Sequence, residues 1–169
     1  MSADVTTALG ALLADRSLRQ TLRRNPSEVA LRLGISEADL NALDPEDLEI
    51  QAESLIDKRR CEVFKRLPRT VALLGDRASG LFREHAEGFW PEGHRRHEAD
   101  AARFGGYLTE RGLPLCRSEW NRARYVAGTA LLSIRYAPDA RVRGRARRAI
   151  ELYLRAGGSV RSWAFYFGL

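Results

Sequence analysis

The side chains best equipped for chemistry are three histidines, His85, His94 and His97, and two cysteines, Cys61 and Cys116. His94 and His97 stand three apart, which puts two imidazoles on one helical face, and Glu84, Glu98 and Asp100 bring oxygens nearby. The pair lies inside His94-Arg95-Arg96-His97-Glu98, where two guanidiniums oppose a bound cation. A solvated helix start is the better reading, and no metal ligands are assigned. The cysteines are isolated from each other and read as reduced, packed thiols of a cytoplasmic protein. No nucleophile elbow, phosphate loop or Cys-His signature is found. A non-catalytic chain without a cofactor is the expectation.

A second group of residues is better suited to binding. Arg141, Arg143, Arg145 and Arg147 recur with period 2. On a strand they project from one face; on a helix they spread around it. As a strand, and with Arg135, they make a basic strip fit to hold an acidic peptide or a phosphate backbone. The plain alternative is a solvated face, because arginine outnumbers lysine 26 to 2 throughout the chain. Trp90, Trp163, Phe165 and Phe167 are candidate partner contacts. The alternation at 163, 165 and 167 suggests one buried face, and any exposed part of it would mark an interface.

The elements that must carry these groups change character along the chain. Its 169 residues suit one domain, or a domain with a small lobe, at ordinary globular composition. Leu9, Leu12, Leu13, Leu18 and Leu22 approximate a helical stripe, ended before Asn25-Pro26. Pro26 opens a helix that stops at Gly34, and Ser36 with Asp39 has the chemistry of a helix start. Helical spacing then runs through Leu48–Leu67, Thr70–Leu74, Arg77–Gly88 and Arg95–Arg111, punctuated by Pro68, Gly75-Asp76 and Gly112-Leu113-Pro114. Ser118–Tyr125 suits one more short helix.

Beyond it the period falls to 2. Leu132, Ile134 and Tyr136 alternate with polar residues, as do Ile150, Leu152 and Leu154, and Gly157-Gly158 separates two such runs. Strands are favoured here over a competing helix through Arg145–Arg155, whose Ala146, Ala149, Ile150 and Tyr153 also share a helical face. The expected fold is mainly α: a helical bundle over residues 1–114 and a small basic lobe over 115–169, α then a β-hairpin or three short strands. The net charge of +6 is concentrated in that lobe. Eleven arginines against three acids give it +8, leaving −2 for the rest. No apolar run approaches the ~20 residues that cross a bilayer, so no membrane partner is expected.

Val29–Asn41 has the outline of a helix-turn-helix. Its second helix carries Glu37 and Asp39 and no cation, and an acidic recognition helix repels phosphate. A plain helical hairpin fits better.

Three stretches carry a family likeness: Lys58-Arg-Arg-Cys-Glu-Val-Phe-Lys-Arg-Leu-Pro-Arg-Thr-Val-Ala-Leu-Leu-Gly-Asp, Phe89-Trp-Pro-Glu-Gly, and Asp100-Ala-Ala-Arg-Phe-Gly-Gly-Tyr-Leu. Together they resemble the partner proteins of multinuclear non-haem iron oxidases, which work in the biosynthesis of modified peptides such as those of the methanobactin, thiaglutamate and bufferin systems. The resemblance spans about residues 48–112. It implies a heterodimer in which an iron-dependent oxidase, a separate chain, modifies a ribosomally made precursor peptide. The partner protein carries no iron and engages the peptide's leader. On that reading the peptide contacts are Arg135, Arg141, Arg143, Arg145 and Arg147, and the oxidase contacts are Trp90, Trp163, Phe165 and Phe167. A nucleic-acid-binding transcriptional regulator using the same basic strip is the runner-up expectation.

Overall fold

A computed structural model describes residues 4–142 and 145–167. The chain forms two compact units: one holds the residues up to Lys58 with Ala86–Trp90, the other Arg59–His85 with the chain from Pro91 onward.

In the first unit each helix begins where a side chain satisfies the free amides of its first turn. Asp4 accepts from the Thr6 amide at the start of α1 (Val5–Ala14). Asp15 accepts from Ser17 and Leu18 at 2.8 and 3.2 Å to open α2 (Arg16–Arg24), so two helices share the leucine stripe. Asn25 and Pro26 begin α3 (Pro26–Leu33), and Gly34 ends it at φ 69°. Ser36 caps the short α4 (Glu37–Asn41), which makes the expected helical hairpin. The core comprises Leu12, Leu18, Leu22, Val29, Leu40 and Leu48 with smaller neighbours. Arg19 is only 4% exposed among them. Its guanidinium donates to the carbonyls of Leu12 and Leu13 at 2.9 and 3.1 Å and to Glu49 at 3.0 Å, which closes the end of α1 and pairs the buried charge.

The long α5 (Pro45–Arg66) ends at Pro68, whose ring starts α6 (Pro68–Leu74); α7 (Arg77–Glu87), α8 (Arg96–Glu110) and α9 (Arg117–Ala127) follow. Phe82 and Phe104 are fully buried, edge-on at 5.4 Å between ring centres. Asp100, with no exposure, lies beside them. Arg59 Nε and Nη2 grip its carboxylate at 2.9 and 3.0 Å, and His85 Nε2 lies 3.0 Å from Oδ1. Gly105 lets α8 and α9 approach closely: a Cβ there would stand 2.2 Å from Trp120 Cδ1, and the Trp120 ring donates to the Ala102 carbonyl at 2.8 Å.

After α9 the chain forms an antiparallel meander, β1 (Leu132–Val142), β2 (Arg145–Ala156) and β3 (Ser159–Phe167), in the order β1-β2-β3. This is the mainly helical fold with a C-terminal β lobe. The alternative of a helix over 145–155 does not form, because β2 finds a partner on each side. Gly157 and Gly158 make the β2–β3 turn with φ of 56° and 79°, the left-handed pair that a two-residue hairpin requires. Between Ala137 and Ala140, β1 carries a bulge containing Pro138, where a strand tolerates the missing amide. Among the described residues, no helix is long and apolar enough to cross a membrane.

Candidate functional site

The C-terminal sheet is two-faced, and each face follows from strand alternation. Residues directly paired across strands share a face, so Ala137, Ala149 and Tyr166 lie on one side, with Ala140, Glu151, Tyr153 and Ala164. This side receives α9. The small alanines let the helix come close, and Tyr125 stacks on Tyr153 at 5.1 Å. Glu151 is buried beneath the helix. It accepts from Asn121 Nδ2 at 3.2 Å, from the Tyr153 hydroxyl at 2.8 Å and from the Ser118 hydroxyl. Burial first, then the hydrogen bond and charge of Glu151, push the Tyr153 phenol well above its ordinary range.

Carboxylates also lock the elements around this face. Asp139, in the bulge of β1, accepts from the Arg117 and Ser118 amides at 2.7 and 3.3 Å and thereby caps α9. Glu119 of α9 in turn accepts from the Arg69 and Thr70 amides at 2.8 and 2.9 Å and caps α6. At the other end of α9, Arg95 and Arg155 donate to the Gly128 carbonyl at 2.7 and 2.9 Å, which places cations where the helix dipole is negative.

Beside α9, part of the helix-facing side stays open as a cleft of about 820 Å³. Arg66, Glu98, Arg122, Ala140, Glu151 and Tyr166 are among its walls. Glu98 is held by Arg66 at 3.1 Å. Arg66 also binds Glu62, whose carboxyl is drawn down to about 2 by hydrogen bonds from Lys65 and Arg66. Among the described residues, no carboxylate pairs with Arg122 or Arg141.

Among the described residues, no helix covers the other face. Ile134, Leu152 and Trp163 are aligned across the three strands, and Tyr136, Ile150 and Phe165 form the next row. Exposure is 65% at Ile134, 54% at Tyr136, 44% at Trp163, 60% at Phe165 and 45% at Phe167. The alternation of 163, 165 and 167 therefore marks one face as expected, but that face is open rather than buried.

The arginine strip is redistributed. Arg141 closes β1 while Arg145 and Arg147 open β2, so the period-2 run spans a hairpin instead of one strand. Register puts Arg145 opposite Val142 and Arg147 opposite Ala140 on the helix side, and Arg141 opposite Ala146 on the other. Arg143 lies outside the described residues. Arg135 stands opposite Glu151 in the strand register and donates to Ser133 Oγ at 3.0 Å. Trp90 belongs to the first unit, half-buried in a recess with Leu13 and Ile56. His94 is exposed and His97 half-buried, and His85 turns to Asp100. Sequence reasoning missed Arg122, Glu151 and Tyr153 altogether. For Glu151 alone a signal exists, an acid set between the apolar strand residues Ile150 and Leu152.

A family model described as "SCO6045-like, C-terminal domain" matches residues 41–110. That span contains Arg59, His85 and Asp100 and ends before α9 and the sheet. No curated protein and no solved structure matches the chain.

Proposed function

We propose that this chain is a non-catalytic, cytoplasmic partner subunit that binds an iron-dependent oxidase, made as a separate chain, and recruits a ribosomally made precursor peptide for modification. The observation that carries the reading is the open apolar face of the C-terminal sheet. Three strands about 4.8 Å apart, paired over the nine residues of β3 at about 3.3 Å per residue, give a face of roughly 400 Å² in projection. Apolar patches of about 300–600 Å² on a monomer are commonly functional, and this one concentrates the aromatic side chains that anchor protein interfaces. A stable interface takes about 800 Å² from each partner, so the oxidase must reach past the rim of the sheet. The likeness of residues 58–76, 89–93 and 100–108 to partners of iron oxidases supports this choice of partner. The outer edge of β3, which pairs with no further strand among the described residues, suits a leader peptide that binds in extended form.

Co-expression with such an oxidase, purified through a tag on this chain, tests the reading. A stable complex whose iron travels with the other subunit is expected, and Phe165→Asp with Ile134→Asp should abolish capture while leaving the circular dichroism spectrum intact. Recovery of this chain alone with co-purifying nucleic acid would overturn it in favour of a regulator.

A further inference from the structure

The open face of the sheet carries charge of one sign only. Arg161 stands opposite Leu154 at one end of the aromatic rows, and Arg148 stands opposite Phe167 at the other. Arg141, opposite Ala146 in the register, lies on the same face and toward the same end as Arg148. All three arginines are exposed, and among the described residues none is paired with a carboxylate. The acids of the strands are placed elsewhere. Glu151 lies on the side that α9 covers, and Asp139 turns to the first amides of α9. The face therefore has an apolar middle with cations at both ends, and no register position on it is acidic. Arg161 and Phe167 are separated by about 20 Å of strand, which sets the distance between the two ends.

This arrangement limits what can cover the face. The apolar middle offers about half of the ~800 Å² that a stable interface takes from each partner, so a stably bound occupant extends over the ends as well. There it takes guanidinium groups out of water, which is unfavourable unless it brings counter-charges. A second copy of this chain brings none, because it presents the same face, on which arginine is the only charged residue type. We infer that the open face selects a partner surface that is apolar in the middle and carries carboxylates at two places about 20 Å apart, one over Arg161 and one over Arg148 and Arg141. In the partner reading that surface belongs to the oxidase. The inference rests on that reading for the identity of the occupant, and the two fail separately, because the charge preference is measured on this chain alone.

The probe is a fluorescein-labelled, stapled amphipathic helix of about fourteen residues, roughly 21 Å long, with a leucine stripe and glutamates at both ends; its counterpart carries lysines there. Fluorescence anisotropy at low salt should show the glutamate peptide binding about tenfold more tightly, and the gap should close by about 0.5 M salt. Arg148→Glu/Arg161→Glu should reverse the order of the two peptides, while Arg77→Glu/Arg122→Glu, the same change of charge placed on α7 and α9, should preserve it. Equal binding of the two peptides, no saturation by about 1 mM, or the same response in both double variants would each overturn the inference. So would displacement of the glutamate peptide by oligothymidylate at lower concentration, or sedimentation of the chain with phosphatidylserine vesicles, either of which assigns the arginines to phosphate. Oxidase capture that is unchanged in Arg148→Glu/Arg161→Glu would overturn it as well. Peptides that behave as expected while no oxidase is captured would strike the choice of partner and leave the charge preference of the face standing.

Discussion

Two single residues set the terms of the helical part, and neither announces itself in the sequence. Arg59 and Asp100 are 41 positions apart, and each reads locally as a surface charge on an amphipathic helix. Only the fold brings them together, in an aromatic surround where an unpaired charge is costly. Asp100→Asn should therefore destabilise the protein by about 3–5 kcal/mol, because it leaves the Arg59 guanidinium buried without its counterion. For a chain of this size the melting temperature should fall by roughly 10 °C. Burial alone would raise the Asp100 pKa, but hydrogen bonds from His85 and Arg59 and the guanidinium charge outweigh it and hold the carboxyl below its ordinary value. A lowered folded-state pKa contributes stability above about pH 4, lost as pH falls through the folded value. The gap in melting temperature between wild type and Asp100→Asn should narrow in acid, and a pH-independent gap would show that packing, not ionisation, sets it. The cysteines divide as burial dictates. Burial pushes the Cys116 thiol up to about 11, whereas Cys61 is exposed. A thiol-specific disulfide reagent at pH 8 should label Cys61 in the native protein and both cysteines in denaturant, since the thiolate is the reacting species.

At the level of elements, local chemistry made most boundaries legible. Pro26, Pro68 and Gly34 mark helix starts and a stop, Ser36 a cap, and Gly157-Gly158 a hairpin. The single leucine stripe resolved into two helices because Asp15 offered its carboxylate to the amides that follow it. Less legible were the caps supplied from a distance: Asp139 serves α9 and Glu119 serves α6, and no spacing rule links a strand acid to a helix twenty residues earlier. Gly105 is similar. In the sequence it is one of two adjacent glycines within a helical pattern, a mild loss of helix propensity. In the structure it is the floor under Trp120. Gly105→Ala, which propensity alone would make stabilising, should instead cost about 1–3 kcal/mol as the indole is displaced. Gly106, with open space around its Cα, should accept alanine without that loss, and thermal melts of the two variants side by side decide the matter.

At the level of the whole molecule, helices first and a basic β lobe last could be read from periodicity and charge, because 3.6 and 2 are easily told apart over long runs. The side of the sheet that would be covered could not. Alternation separates an alanine row from an aromatic row without saying which faces inward, and hydrophobicity favours the wrong one. Packing decided it, since Ala137, Ala140 and Ala149 admit a helix backbone and Tyr136, Ile150 and Phe165 would hold it off. The division of labour has an evolutionary reading. Substitutions in the alanine row are felt at once by α9 and are policed by the narrow margin of stability that natural proteins keep. Substitutions in the aromatic row leave the α9 contact untouched, so that side of the sheet is free to change without a toll on folding.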